Sequence, residues 1–420
     1  MSLIGEKRIG LVSKFKFRCN MCKDDFIVTS EDLSSTHNVN ANVGAVTGIT
    51  SAGIGFSQFE EITACMDVPI FTKTTYAQVQ NMVYEKWEST SVESMAAAAM
   101  RERDAAVAEG TLSKDGIPVI DVYADACWSS RSYGSNYKAL SGAAAIVGRR
   151  YGEVLFLGIK NKYCLVCARA EKKQTAAPEH VCFKNYTGSS SGMESEIICQ
   201  GFETSVLMYN VIYGRLIADG DSATYAKILA RNPYQNHTVQ KVECRNHVLR
   251  NMCNKLRAVA KDTKYALVHR KMLSESKIMS IRKVVIASIK KYKLEKHKTE
   301  AVAAFRNEIE NSIQHAFGNH ENCKNYYCSK EKTQQSNMEI KNTTFWFRIQ
   351  TILQSLLSKS RSMLEDVDTN TVERFNSVIA KIVGERELIS LYVRVTKHVA
   401  MLQSFLLITP TQGIYFIKNF

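Results

Sequence analysis

The sequence predicts an α/β fold: a mixed-sheet core with a helical insertion domain and small zinc-knuckle elements. Three observations predict it. Short apolar runs at residues 117–128 and 216–218 each lead into a pair of carboxylates, Asp121 with Asp125 and Asp219 with Asp221. Strand-like and helix-like stretches alternate between those runs. From residue 244 to about 365 the chain is helical and charged, with almost no strand signal, as an insertion into an α/β core would be.

Taken in order, residues 1–60 hold Cys19 and Cys22 in a hairpin-like CxxC knuckle, then a Gly-, Thr- and Asn-rich stretch expected to be a mobile connection. Residues 61–116 are a helical segment: apolar spacing of three and four marks 76–87, and 91–109 is rich in Ala, Met, Glu and Arg. Gly110 and Gly116 then punctuate the chain. Strands are expected at 119–128, 143–149, 154–160 and 163–166, joined by short turns as a meander. Helical spacing at 195–210, a strand at 216–218 and a helix from Ser222 complete 117–243 as the first part of the core, in a ribonuclease H-like order. The insertion spans 244–365. A closing helix at 372–383 lies in the last segment, 366–420.

Composition narrows the class. A chain of 420 residues, 45% hydrophobic and 9% aromatic, buries a large core in two or three domains. It has no apolar run of eighteen residues and no long apolar stretch at its start, so a soluble intracellular protein with no membrane partner is expected. Twelve cysteines there would be reduced, and spacing decides whether they bind metal or only pack. The net charge of +14 is concentrated: residues 241–298 hold 17 Lys or Arg against four acids and contribute +13. Such a stretch suits a polyanion through counterion release, the bland alternative being solvated helix faces. The candidate phosphate-binding residues are Lys255, Arg257, Lys261, Lys264, Arg270, Lys271, Arg282, Lys283, Lys290 and Lys291.

The acids invite metal chemistry. On a strand, Asp121, Tyr123 and Asp125 share a face, and Asp125, nearer the end, is the better ligand; Asp121 is a supporting or exposed residue. Asp219 follows its apolar triplet directly and suits a metal, while Asp221 or Ser222 suits a helix cap; a plain tight turn stays open. A two-metal site needs a third acid. Glu373 and Asn376, one turn apart on the closing helix, offer one, although Asn370 with Glu373 also fits a capping box.

Cys164, Cys167, His180 and Cys182 have knuckle spacing for structural zinc, and His315, His320, Cys323 and Cys328 form a second candidate cluster. Cys19 and Cys22 make only half a site. Cys244 and His247, three apart at a helix start, read alone as a satisfied core pair.

These motifs, in this order, resemble the Mutator-like transposase family. The likeness runs from about Lys7 to Gly384, through the segments 56–61, 125–134, 136–142, 162–167, 188–194, 219–222, 244–247, 317–320 and 372–381. The resemblance implies a ribonuclease H-like core with an Asp-Asp-Glu triad, falling on Asp125, Asp219 and Glu373, and a Cys-x-x-His element near the centre, falling on Cys244 and His247. It implies two Mg²⁺ or Mn²⁺ ions, cleavage and strand transfer at element ends and target DNA, and work in the nucleus, with self-association left open. After Gly384 the chain departs from the family's basic segment, and nothing before Lys7 resembles a sequence-specific DNA-binding module. Two other readings stay open: a catalytically inactive, transposase-derived DNA- or chromatin-binding protein, and a zinc-stabilised scaffold for protein partners.

Overall fold

The structure is a computed structural model and describes residues 1–31, 40–128, 139–180, 182–219, 222–331 and 338–383. The residue 129–138 part of the motif after Asp125, Asp221, and the C-terminal segment from residue 384 lie outside these residues. In chain order the elements are β1 (Ser2–Ile9), β2 (Val12–Arg18), β3 (Asp25–Thr29), α1 (Ala41–Ser51), α2 (Phe56–Cys65), α3 (Lys73–Ala108), β4 (Val119–Trp128), β5 (Ser141–Gly148) and β6 (Val154–Asn161). Then follow α4 (Leu165–Lys172), α5 (Gly192–Tyr209), β7 (Ile212–Ala218), α6 (Ser222–Arg231), β8 (Gln240–Glu243), α7 (Arg245–Lys261), α8 (Leu267–Met272) and α9 (Glu275–Tyr292). The last are α10 (Lys298–Ala316), α11 (Met338–Lys341), α12 (Thr344–Leu357), α13 (Ser360–Met363) and α14 (Asn370–Val383). No helix among the described residues is long and apolar enough to cross a membrane.

Two sheets result. The first is the meander β1-β2-β3, antiparallel throughout. The second is mixed and five-stranded, in the order β6-β5-β4-β7-β8, with β5 and β6 antiparallel and β7 and β8 parallel. The chain divides into two compact units, one of residues 1–120, 125–212 and 372–420, the other of 121–124 and 213–371.

In the first unit, α5 lies on β5 and β6 at a closeness that glycine permits. A Cβ at Gly201 would overlap Ile146 and Phe156, and one at Gly158 would overlap Ile197. The β5–β6 turn is held by α3: Arg101 forks onto Glu153 (2.6 and 2.8 Å), and the buried Glu102 carboxylate accepts the backbone N–H groups of Arg150 (3.0 Å) and Tyr151 (3.1 Å). In the second unit a single apolar cluster runs through α7, α9, α10 and α12, centred on Leu249, Leu256, Ile281, Phe305, Phe345 and Ile349.

Three local expectations are corrected, and one strand stands where none is expected. Within the stretch expected to be a mobile connection, Ala41–Ser51 form α1, because Asn40 caps it and the Thr50 and Ser51 hydroxyls bond back to the carbonyls of Val46 and Thr47. Its Val46 and Ile49 are buried with Phe71 and Trp87. The two helices expected across 76–109 are one: Ser89 and Thr90 bond back to Lys86 O, and Ser91 to Glu88 O, so this polar triplet does not break α3. The strand expected at 163–166 is absent, since Cys164 caps α4 and the chain turns helical there. Strand β8 went unanticipated because Val242 is its one buried residue, too little for a period-2 pattern.

Removing the buried Glu102 carboxylate leaves the two N–H donors of the β5–β6 turn without their acceptor. Glu102→Ala is therefore expected to lower stability by about 2 kcal/mol, read as a shift of the urea unfolding midpoint with unchanged slope.

Candidate functional site

The alternation of β4 puts both of its acids on one face, and their partners there differ. Ile120, Val122 and Ala124 are buried on one face, and Asp121, Tyr123 and Asp125 alternate with them. The guanidinium of Arg215 forks onto Asp121 at 2.7 and 2.5 Å and also reaches Glu365 at 3.4 Å, so Asp121 sits in an ion pair. Asp125 meets an amide instead: Asn376 Nδ2 donates to its Oδ2 at 3.0 Å. Two residues on, burial first and the Asp125 charge second push the Cys127 thiol up to about 12, which keeps it a neutral thiol.

Helix α14 brings that amide to the strand. Val372, Phe375 and Ile379 are buried with Asn376 at helical spacing, and Glu373 stands half-buried in the first turn. A carboxylate there is favoured by the helix dipole. Asp368 accepts the N–H of Asn370 at 3.1 Å, so Asn370 is not itself the cap. Asn376 Oδ1 is buried without a hydrogen-bond partner. An orphaned carbonyl oxygen beside a carboxylate is the hard-oxygen chemistry that Mg²⁺ or Mn²⁺ takes, so the residues fit such an ion.

Asp219 follows the last residue of β7, the neighbour of β4 in the sheet. Its backbone position is fixed by the start of α7. Cys244, fully buried, caps that helix, gives its N–H to Ala218 O at 3.0 Å and receives the Thr369 hydroxyl on sulfur at 3.4 Å. Next to it, the Arg245 N–H goes to Val367 O at 2.9 Å, while Arg245 and Lys293 both bind the Asp366 carboxylate. Burial alone would raise the Asp366 pKa; Lys293 and Arg245 more than reverse this and hold it below its usual range. Sequence reading missed this knot, whose partners lie too far apart in the chain to show as spacing. His247 is half-buried in the first turn of the same helix.

Both expected Cys/His clusters are assembled. In each, four ligand atoms lie within 4.8 Å of one another, which could hold a metal such as zinc. In the first, His180 Nε2 lies 3.2 Å from Cys164 Sγ and 3.3 Å from Cys167 Sγ, and Cys167 and Cys182 sulfurs are 3.5 Å apart. The other ring nitrogen, Nδ1, is 2.7 Å from Pro178 O, which fixes the tautomer that presents Nε2. Burial opposes ionisation of Cys164, but the N–H groups of Cys167 and Val166, with His180, bring its pKa down to about 6. The second cluster closes the end of α10: His315 and His320 face each other through Nδ1 at 3.2 Å, with Cys323 3.3 Å from His315 and Cys328 3.6 Å from His320. Burial lowers the pKa of both imidazoles, aided at His315 by the facing ring, and a neutral imidazole is the form that ligates.

The basic candidates sit on α7, α8 and α9 and in the connection after α7. Lys255, Lys261, Lys264, Lys271, Lys283, Lys290 and Lys291 are exposed. Arg257 is paired with Glu275 at 2.5 Å and Lys291 with Glu295 at 3.6 Å, both at the surface, where such pairs exchange readily. Arg270 serves the fold by donating Nε to Tyr265 O at 3.0 Å, and Arg282 is half-buried.

By fold and side chains this is a mixed α/β protein with two Cys/His clusters of zinc-binding type. The chain belongs to the Mutator-like transposase family, whose model matches residues 1–328. No curated protein matches it. The matched span includes Asp125, Asp219, Cys244, His247 and both clusters; Glu373 and Asn376 lie beyond it.

If both clusters hold zinc, His180→Ala and His320→Ala each lose about one equivalent per chain by elemental analysis, and chelation lowers the melting temperature by about 5 °C or more. Unchanged metal content in both variants would contradict these sites.

Proposed function

We propose that this chain is a DDE-type transposase that cleaves DNA at element ends and joins the freed ends to target DNA. Its five-stranded sheet supports a ribonuclease H-like core: a central β4, an antiparallel β5–β6 hairpin on one side and the parallel β7–β8 pair on the other. The observation that carries the proposal is the meeting of Asp125 with Asn376 one turn after Glu373, with Asn376 Oδ1 left as an orphaned oxygen. Membership of the transposase family turns that oxygen-rich strand end toward phosphodiester chemistry.

In this reading Asp125, Asp219 and Glu373 hold two Mg²⁺ or Mn²⁺ ions, with Asn376 as a supporting oxygen donor. Ions held by these residues would supply a nucleophile at neutral pH and would offset charge on the phosphate and leaving oxygen. The protein does the positioning. Asn376 orients the Asp125 carboxylate through its N–H donation, and Arg215 neutralises Asp121 so that it does not compete as an acid. Cys244 and Thr369, bonded to each other, anchor the chain between the second and third acids. Water first attacks the scissile phosphate and the bond to the 3′ oxygen breaks. The released 3′-hydroxyl then attacks a target phosphate and gives up its proton, while the target's own bond from phosphorus to its 3′ oxygen breaks and that oxygen leaves as a hydroxyl. Exposed lysines of α7 to α9 grip the DNA backbone without reading bases. DNA as substrate implies work in the nucleus.

The test uses the full chain with Mg²⁺ or Mn²⁺ and DNA carrying element ends. Asp125→Asn, Asp219→Asn and Glu373→Gln are each expected to slow nicking about 10³-fold or more, roughly 4 kcal/mol, while salt-dependent DNA binding is retained. Replacing Lys261, Lys264 and Lys283 with alanine lowers the salt slope of binding by about one for each phosphate that is no longer neutralised. Equal nicking by the acid variants would contradict the site. DNA binding by the wild type with no metal-dependent nicking would favour a transposase-derived binding protein.

A further inference from the structure

Cys19 and Cys22 stand in the turn between β2 and β3 and belong to neither Cys/His cluster. The turn is built as a knuckle. Cys19 N–H bonds to Asp24 O at 2.9 Å, and Lys23 N–H returns to Cys19 O at 3.1 Å. Lys23 takes a left-handed φ of +67°, a conformation that costs a lysine about 1 kcal/mol or more and persists where the surroundings require it. The backbone N–H groups of Cys22 and Met21, and then the Cys22 thiol, hold the Cys19 thiol below its usual range. This is the arrangement in which two sulfurs of one turn grip a single zinc ion.

Half the ligands are missing. Tetrahedral zinc takes four, and among the described residues no third Cys, His, Asp or Glu groups with these two. The nearby Asp25 is engaged by Arg18 at 2.8 Å and Lys16 at 2.7 Å. The surroundings of the turn are apolar and exposed. Leu3, Phe17 and Phe26 lie opposite one another across all three strands, one residue in from the Arg18–Asp25 pair, and Met21 at the tip is 93% exposed. Leu3, Phe26 and Ile27 are also exposed, and a three-stranded sheet this open buries little of its own apolar surface.

We propose that Cys19 and Cys22 form half of a four-thiolate zinc site completed by Cys19 and Cys22 of a second copy of this chain. A two-fold axis through the ion supplies two sulfurs from each copy, the closed arrangement that an isologous dimer provides. Each thiol gives up its proton on binding, and the Leu3–Phe17–Phe26 row flanks the ion and is covered by its counterpart. The site stands independently of the transposase reading and of both other clusters.

Light scattering on the full chain, with zinc and after chelation, tests this alongside elemental analysis. The expected result is a zinc-dependent dimer of twice 47.2 kDa. Cys19→Ser and Cys22→Ser become monomeric and lose about half an equivalent of zinc per chain, with an unchanged circular dichroism spectrum, while His180→Ala and His320→Ala remain dimeric. A wild-type monomer in zinc overturns the proposal, as does a dimer that survives Cys19→Ser and Cys22→Ser. So does a monomer that loses a full equivalent in Cys19→Ser, because its own chain would then complete the site.

Discussion

Strand β4 lies between β5 and β7, and that placement is the constraint on which the rest depends. A central strand cannot leave carboxylates unanswered, since an ion removed from water without a partner costs several kcal/mol or gives up its charge. Asp121 is answered by Arg215 and Asp125 by Asn376, the latter from 251 residues further along the chain. Between them Tyr123 packs on Ile217, Val242 and Val367. The two solutions differ in kind. A guanidinium neutralises its acid and closes the matter, whereas an amide orients an acid and leaves its charge in place, as a cation site requires.

Bringing α14 back to β4 demands a defined route through the preceding chain. The segment leading into that helix is tied at Asp366, Val367 and Thr369 to the first turn of α7. The same turn hydrogen-bonds the end of β7, just before Asp219. Local excursions are pinned differently. Residues 164–182 and 315–328 converge through Cys and His side chains, so metal binding there would couple directly to folding.

What the sequence made legible was what is local. The β4 bounds and the α5 and α14 helices follow from period-2 and 3.6-residue patterning, and both Cys/His clusters from ligand spacing within fewer than twenty residues. Composition misled where side chains settled the backbone's needs internally, as with the hydroxyls of α1 and the Ser89-Thr90-Ser91 triplet in α3. Strand position and the family resemblance both favour Asp125 over Asp121 as a ligand; that Arg215, 94 residues away, pairs with Asp121 left no sign in the sequence. Spacing placed Asn376 one turn from Glu373 but gave no sign of its bond to Asp125. The Asp366 knot joins residues 73 and 121 apart, and such pairings leave no periodic trace.

We propose that Asp125, Asp219 and Glu373 together hold divalent cations. Affinity cleavage with Fe²⁺, ascorbate and peroxide tests it directly, because a bound iron cuts the backbone only where it sits. The account predicts cuts near the ends of β4 and β7 and in the first turn of α14, suppressed by Mg²⁺ and abolished in Asp125→Asn. Cleavage confined to other segments, or cuts at these three places that persist in Asp125→Asn, would contradict it.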